Sequence, residues 1–126
     1  MKGEIETVQI SSGHLSFLFV VDVAAGLIFR SGKLLITQRH AEAHLGGLWE
    51  FPGGKREPDE TFEQCLAREL IEELGIRVRV GELFESVSTL IQENGPFEFF
   101  LSEVEAGEPQ ALGCADCKWV GRGELL

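Results

Sequence analysis

"TFEQCLARELIEELGI", residues 61–76, is the segment that decides the fold. Thr61 and Gln64 have the spacing of a capping box, in which each side chain bonds a backbone amide of the other residue. Gly75 follows the last apolar residue of the segment, and glycine is the usual left-handed residue after a helix. The sequence therefore predicts a helix that begins at Phe62 and stops at Gly75.

Three glutamates share one side of this predicted helix. At about 100° per residue, Glu72 and Glu73 fall within about 60° of Glu69. Leu66, Ala67, Leu70 and Leu74 form the adjoining apolar stripe. The charges do not favour the helix, because Glu69 and Glu73 repel each other and Glu72 and Glu73 lie near the negative end of the helix dipole. A solvated acidic surface is one explanation; the other is a pocket at the edge of the core where carboxylates bind a divalent cation such as Mg²⁺.

Apolar, β-branched segments on both sides of the helix predict strands. These cover residues 16–29, 33–39, 48–51, 76–85, 96–105 and 117–120. Turns are predicted at residues 30–32 and 93–95, and residues 40–59 are predicted as a loop around the short strand 48–51 because they hold four glycines and two prolines. Residues 121–126 predict the start of a further helix. Strands interleaved with a helical pattern indicate an α/β or α+β fold.

The composition restricts the class of protein. A chain of 126 residues that is 44% hydrophobic buries one core, so we expect a single domain over residues 1–126. The 21 acidic against 11 basic residues give a net charge of −10, which disfavours nucleic acid polymers and anionic membranes and is compatible with cation binding. The sequence has neither an apolar run of ~20 residues nor a signal-peptide pattern, so we expect a cytoplasmic location.

The three cysteines are expected to be reduced thiols, because an odd number cannot all pair within one chain. Cys114 and Cys117 form one CxxC motif without a second pair of ligands, so zinc is not expected.

Residues 53–76, "GGKREPDETFEQCLARELIEELGI", resemble the Nudix box: Gly, five residues, Glu, seven residues, then Arg-Glu-aliphatic-x-Glu-Glu-x-Gly-aliphatic. Every specified position is filled, by Gly54, Glu60, Arg68, Glu69, Leu70, Glu72, Glu73, Gly75 and Ile76. "QRHAEAHLGGLWEFPGGK" before it and "EPQALGCADCKWV" behind it are similar to the MutT-like branch, so the resemblance covers residues 21–120. It implies the Nudix fold, a mixed β-sheet sandwiched between helices.

The same resemblance implies an enzyme that uses Mg²⁺ or Mn²⁺ to hydrolyse a nucleoside triphosphate to monophosphate and pyrophosphate. Oxidised dGTP is the first candidate substrate, in the role of sanitising the nucleotide pool. CTP, another nucleoside diphosphate derivative, or a module that binds nucleotides without catalysis are the alternatives. A small nucleotide is the implied partner, and both a monomer and a homodimer are compatible with the sequence.

The family's site residues carry over onto matching positions of this chain. The metal ligands implied by the resemblance are Glu69, Glu72, Glu73 and the backbone carbonyl of Gly53. The implied catalytic residues are Glu69, Glu72 and Arg68, with Arg68 orienting a glutamate. Arg39, Phe51, Gly54 and Lys55 are implied to bind substrate. Glu60 is implied to support the loop or an outer metal, and Gly75 to be structural.

The chain departs from the family pattern in several places. Asp59 stands where glycine is usual. A carboxylate that some members carry before the last strand falls on Gly113, which leaves Asp116 as the nearest acid and the general base open. The family continues after the final strand into a helix that helps to recognise the base, whereas this sequence ends at Leu126, so the resemblance implies a truncated helix and a modest preference among bases. Residues 1–15 have no clear counterpart and are expected to form a poorly ordered extension.

Overall fold

The computed structural model describes residues 4–9, 15–20, 22–89 and 94–125. In chain order, the elements are β1 (Glu4–Gln9), β2 (Leu15–Val20), β3 (Val23–Arg30), β4 (Lys33–Gln38), β5 (Trp49–Glu50), β6 (Gly53–Lys55), α1 (Phe62–Leu74), β7 (Arg77–Thr89), β8 (Asn94–Ala106), β9 (Asp116–Val120) and a 3₁₀ helix (Arg122–Leu125). None of the helices in these ranges combines the length and the apolar character that a membrane crossing needs.

The main sheet is mixed, as the sequence predicted. Its strand order is β5-β4-β3-β8-β7, with β6 paired to β3 and β9 paired to β4. β3 runs parallel to β8 and antiparallel to β4 and β6. β1 and β2 form a separate antiparallel pair. This arrangement confirms the predicted class of a mixed sheet packed with helix.

Helix α1 packs on the main sheet through its apolar stripe. Cys65, Leu66, Leu70 and Leu74 are completely buried in a cluster with Ala24, Ile28, Leu35 and Phe100. Fully burying one leucine stabilises the fold by roughly 1.5–3 kcal/mol. Rotation of α1 would expose this stripe, so the packing fixes the direction in which the glutamates on the adjoining side point.

Both predicted ends of α1 are confirmed. The Thr61 hydroxyl accepts a hydrogen bond from the Gln64 amide at 3.0 Å, and the Thr61 amide donates to Gln64 Oε1 at 2.8 Å. Gly75 adopts a left-handed conformation with φ of 68°, and its amide donates to the Ile71 carbonyl at 3.0 Å. The capping residues therefore set the helix length independently of its acidic face.

The predicted strand at residues 16–29 is wrong as one element, because it is divided between two sheets. β2 ends at Val20 and β3 begins at Val23. Asp22 lies between them, and its carboxylate accepts a hydrogen bond from Arg56 Nη2 at 2.6 Å while its carbonyl accepts the Arg56 amide at 2.7 Å. Aspartate is depleted in strands, and here it ties the chain to the segment after β6 instead of continuing the ladder.

The prediction of a loop across residues 53–55 is also wrong, since these residues form β6. Gly53 pairs with Ala25 and Gly54 pairs with Ala24. A Cβ atom on Gly53 would lie 2.0 Å from the Ala24 carbonyl oxygen, so only glycine permits this approach. Two glycines that are typical of a turn instead bring β6 against β3.

The remaining elements follow the sequence closely. Ser31 and Gly32 have φ of 52° and 75°, the left-handed pair that joins β3 to β4 in a tight hairpin. The predicted turn at residues 93–95 falls partly outside the described residues, and β8 already begins at Asn94. The helix predicted to start within residues 121–126 is a short 3₁₀ helix at Arg122–Leu125. Residues 1–15 were expected to form a poorly ordered extension; β1 lies within them and pairs with β2, and residues 1–3 and 10–14 lie outside the described ranges.

Candidate functional site

A cleft of about 1150 Å³ lies where β3, β5, β6 and α1 meet. Its walls carry charged side chains (Arg39, Glu50, Lys55, Glu69, Glu73, Lys118, Glu124) and aromatic rings (Trp49, Phe51, Phe97, Phe99). Five of the sequence-predicted site side chains (Arg39, Phe51, Lys55, Glu69, Glu73) therefore line one cleft, together with Gly53 and Gly54. A mixture of carboxylates, cations and rings is suited to a ligand that has both phosphate and an aromatic base.

Glu69 is a buried carboxylate at the floor of this cleft, with only 5% of its surface exposed. A Cβ atom on Gly54 would lie 2.0 Å from Glu69 Oε2, so the carboxylate rests directly on the backbone of β6. Gly54 is needed here for space rather than for an unusual φ. β6 and α1 together therefore determine where this carboxylate lies.

Arg68 joins the carboxylates around the cleft. Its guanidinium donates to Glu60 from Nε at 3.0 Å and from Nη2 at 2.7 Å. Nη1 donates to Glu69 Oε1 at 2.8 Å and to Glu72 Oε1 at 3.2 Å, and Nη2 also donates to the Lys55 carbonyl at 3.2 Å. One planar side chain thereby links the loop before α1, strand β6 and two glutamates of the helix.

These contacts determine the charge states. The hydrogen bonds from Arg68, assisted by the Glu57 amide, lower the pKa of Glu60 to about 2. The same bonds, with a further one that Arg68 donates to Glu69, raise the pKa of Arg68 above its ordinary value. The Arg68–Glu60 pair is therefore fully charged at neutral pH, which gives short, charge-assisted bonds.

Cys65 lies beside this network but is a packing residue. Its Sγ is 3.5 Å from the Gly54 carbonyl oxygen, and burial raises the pKa of the thiol to about 12. A thiol that stays protonated is neither a nucleophile nor a metal ligand. Cys65, Cys114 and Cys117 are all free cysteines.

The three glutamates of the predicted metal cluster do not converge on one point. Glu69 and Glu73 line the cleft, whereas the Glu72 side chain is half exposed beside Arg68. Within the described ranges, no three His, Cys, Asp or Glu side chains are arranged around a common metal position. The donors present still fit Mg²⁺, because this ion typically takes one or two carboxylates and completes its shell with water and substrate phosphates.

Arg39 lines the cleft while bound to other parts of the protein. Its Nε donates to the His44 carbonyl at 2.7 Å, and its Nη1 lies 3.4 Å from both carboxylate oxygens of Glu50. Arg39 thus holds the loop before β5 against the cleft wall, a function that the sequence did not predict. Glu50 was not predicted either, because its partner Arg39 lies eleven residues away, beyond the end of β4, and the two side chains meet only in the folded chain.

Aromatic residues extend the cleft away from α1. The rings of Phe51 and Phe99 meet edge to face with centroids 6.2 Å apart, and Lys118 Nζ lies 4.5 Å from the centroid of Trp49. The sequence prediction included Phe51 alone among these four. Alternation along the predicted strand 48–51 puts Trp49 on the same face as Phe51, and that signal could have found it.

The acid that sequence analysis left as a possible proton acceptor is not at the cleft. Asp116 begins β9, and its Oδ1 accepts the Cys117 amide at 2.8 Å. Gly113, where some relatives carry a carboxylate, donates its amide to the Glu73 carbonyl at 3.0 Å. Among the described residues, the carboxylates that line the cleft are therefore Glu69 and Glu73 of α1, together with Glu50 and Glu124.

The fold and the site agree with comparisons to known proteins. A family model described as the NUDIX domain matches residues 20–126, and the chain belongs to this family. It is 54% identical over 67 residues to a CTP pyrophosphohydrolase of Escherichia coli (strain K12), covering 53% of this chain and 50% of that protein. It is 45% identical over 112 residues to an 8-oxo-dGTP diphosphatase of Haemophilus influenzae, covering 84% and 79%.

Among solved structures, the chain resembles the E. coli ORF135 protein, with a TM-score of 0.68 and 38% identity over 85% of this chain and 77% of that one. These comparisons confirm the resemblance that the sequence predicted, and they confirm the Nudix fold. Nudix hydrolases generally use divalent metal ions. The chain spans half the length of the E. coli CTP pyrophosphohydrolase that it matches.

Proposed function

We propose that this protein hydrolyses a nucleoside triphosphate to the monophosphate and pyrophosphate, with Mg²⁺ or Mn²⁺ and with oxidised dGTP as the leading substrate. The observation that carries the proposal is the placement of Glu69, which rests on Gly54, is bound by Arg68 and shares a cleft with Glu73. A buried carboxylate held in one orientation beside a second carboxylate is suited to binding a cation and phosphate together.

Glu69, Glu73 and the Gly53 carbonyl are the oxygen ligands that we assign to the cation, with Glu72 at the rim. A divalent cation supplies charge neutralisation and a lower pKa for the attacking water. The protein's own part is to position these groups. Arg68 fixes the orientation of Glu69, and we assign acceptance of the water proton to one of the two α1 glutamates that Arg68 binds, Glu69 and Glu72.

The cations of the cleft balance the charge of the substrate. Lys55 and Arg39 line the cleft and are available to phosphate oxygens, although Arg39 must exchange Glu50 for a phosphate to do so. In a protein of net charge −10, these side chains and a bound divalent cation are what allow a polyanion to enter. The nucleoside then extends from the carboxylates towards Phe51 and Phe99.

The relatives support two substrates. The H. influenzae protein, an 8-oxo-dGTP diphosphatase by name, aligns over 84% of this chain and supports oxidised dGTP. The E. coli protein, a CTP pyrophosphohydrolase by name, is more similar over a shorter segment and makes CTP the second candidate.

The test is a panel of nucleotides hydrolysed in heavy-oxygen water with Mg²⁺. Oxidised dGTP, dGTP, CTP and dATP are compared, and the products are identified by mass spectrometry. We expect monophosphate and pyrophosphate, with the heavy oxygen in pyrophosphate because water attacks the β-phosphorus. Label in the monophosphate would move the attack to the α-phosphorus. Binding of a nucleotide without any product would instead make the protein a recognition module, and excess chelator should abolish turnover.

A further inference from the structure

Lys118 and Trp49 form a cation–π pair on the cleft wall. Lys118 Nζ lies 4.5 Å from the centroid of the Trp49 ring, and both side chains line the cleft. Their strands flank β4, where Lys118 is opposite Ile36 and Trp49 is opposite Gln38. Two neighbouring ladders of the same sheet therefore hold the pair in place.

The pair lies on the face of the sheet that is turned away from α1. Along β9, Trp119 packs with Leu35 in the cluster that contains α1, whereas Val120 packs with Ile36 in a second cluster. Side chains alternate between the faces of a strand, so Lys118 shares the face of Val120. Because the phosphates belong at the carboxylates of α1, the part of the substrate that reaches Lys118 is the nucleoside.

Lys118 is a more available donor than Arg39 in this cleft. Arg39 is bound by the Glu50 carboxylate and by a backbone carbonyl. The ring of Trp49 is exposed enough that it binds a cation weakly, and an ammonium forms a stronger hydrogen bond with a good acceptor. Lys118 has no ion pair with any residue that the structure describes, so a ligand oxygen can draw it away from the ring without breaking one. This movement uncovers the Trp49 face for stacking.

An ammonium group has three donors and no acceptor. Guanine, oxidised guanine and hypoxanthine present a keto oxygen at position 6, where adenine presents an amino donor. We propose that Lys118 is a specificity-determining residue that favours nucleoside triphosphates with a 6-keto purine, while Trp49 stacks on either purine. This inference rests on the proposed function, since it assigns the base end of the same site.

The test compares dITP with dATP, because their bases differ at position 6. In the unaltered protein, kcat/KM should favour dITP by about tenfold or more, the effect expected of one hydrogen bond to a charged group. Lys118→Met should bring this ratio close to one by lowering the dITP value and leaving the dATP value within about twofold. Lys33→Met, which removes an exposed lysine from β4 outside the cleft lining, should change neither value.

An equal loss for both nucleotides in Lys118→Met would show that Lys118 binds phosphate, and an unchanged ratio would show that it does not contact the base; either result overturns the inference. Equilibrium binding of dIMP and dAMP, measured by calorimetry, separates this outcome from a failure of the proposed function. If no triphosphate is hydrolysed, the proposed function fails, and the ratio of the two dissociation constants with and without Lys118 still decides the inference. Equal affinities for dIMP and dAMP in the unaltered protein would also reject it.

Discussion

Arg68 binds Glu60 through two parallel hydrogen bonds and binds Glu69 with its remaining nitrogen, so Glu60 acts on the cleft through the arginine. The bidentate pair fixes the plane of the guanidinium, and that plane directs Nη1 at the Glu69 carboxylate. A residue nine positions before Glu69 therefore determines how Glu69 faces the cleft. Substitutions of Glu60 or Arg68 should therefore change kcat more than substrate affinity.

Arg68→Lys should lower kcat by about tenfold or more while KM changes little, because an ammonium cannot reproduce the planar two-point contact with Glu60. Steady-state kinetics with the best substrate of the panel measures the two parameters. Arg79→Lys is the matched control, since Arg79 makes one exposed bond to Glu103 at 3.0 Å. A rise confined to KM would show that Arg68 contacts substrate instead.

Glu60 should make the free energy of unfolding depend on pH in the acidic range. Its folded pKa of about 2 lies below the ordinary 4.5, so the unfolded chain binds more protons between these values. The stabilisation is therefore complete above pH 4.5 and is lost as the pH falls towards 2. Glu60→Gln should lower the free energy of unfolding by on the order of 2 kcal/mol at pH 7, and the difference from the unaltered protein should shrink as the pH falls below 4.5.

Urea unfolding at a series of pH values gives that free energy. Glu103→Gln, at an exposed surface pair, should lower stability at pH 7 by less than about 0.5 kcal/mol. A gap between Glu60→Gln and the unaltered protein that stays constant from pH 7 to pH 2.5 would contradict the assigned cause of the Glu60 shift.

Alanine substitutions at the two glycines of β6 should have different effects, one on catalysis and the other on stability. The atoms nearest to an alanine Cβ at Gly54 belong to the Glu69 side chain rather than to backbone, so Gly54→Ala should displace this carboxylate and reduce kcat by about 10²-fold while the protein stays folded. Alanine at Gly53 meets the backbone of Ala24 and Ala25, so Gly53→Ala should lower the free energy of unfolding by about 2 kcal/mol or more.

Kinetics and urea unfolding of both variants separate the two effects. Gly123→Ala is the control, because a Cβ atom there has no neighbour within 4 Å. An active Gly54→Ala protein would mean that the carboxylate position seen against Gly54 is not needed for turnover.

Glu73→Gln should lower kcat by about 10²-fold or more and weaken the dependence on Mg²⁺, because one oxygen donor of the cleft loses its charge. Without metal, the Tm should stay level or rise slightly, since the repulsion between Glu69 and Glu73 is relieved. Titration of activity with Mg²⁺ and a thermal melt in chelator measure both effects. Glu82→Gln, on the exposed part of β7, controls for the change in net charge. Turnover close to that of the unaltered protein would refute Glu73 as a ligand.

Local signals predicted most of the fold. The capping box and Gly75 set α1, and Ser31 with Gly32 set the β3–β4 hairpin, because each feature is decided within a few neighbouring residues. The division of the strand at Asp22 and the existence of β6 were not predictable in this way. Both depend on partners far along the chain, namely Arg56 for Asp22 and Ala24 for Gly54.

The same distinction applies to the site. The motif predicted Glu69, Glu73 and Arg68 because they are close in sequence on one helix. The Arg39–Glu50 pair and the Trp49–Lys118 pair were missed because they exist only once the register of β5 and β9 on β4 is known. The half-exposed position of Glu72 follows from its bond to Arg68, whose direction the loop residue Glu60 determines.

The ladder between Gly54 and Ala24 has a consequence for the order of folding. Helix α1 contains its own capping residues and can form early. The Glu69 carboxylate, however, has its contact with Gly54 in place only after β6 has paired with β3, which is thirty residues away in sequence. We therefore expect the cleft to be assembled by a late, long-range step rather than by the helix that carries its acids. Amide hydrogen exchange at the β3–β6 ladder should consequently report the integrity of the site, and slow exchange within α1 alone should not.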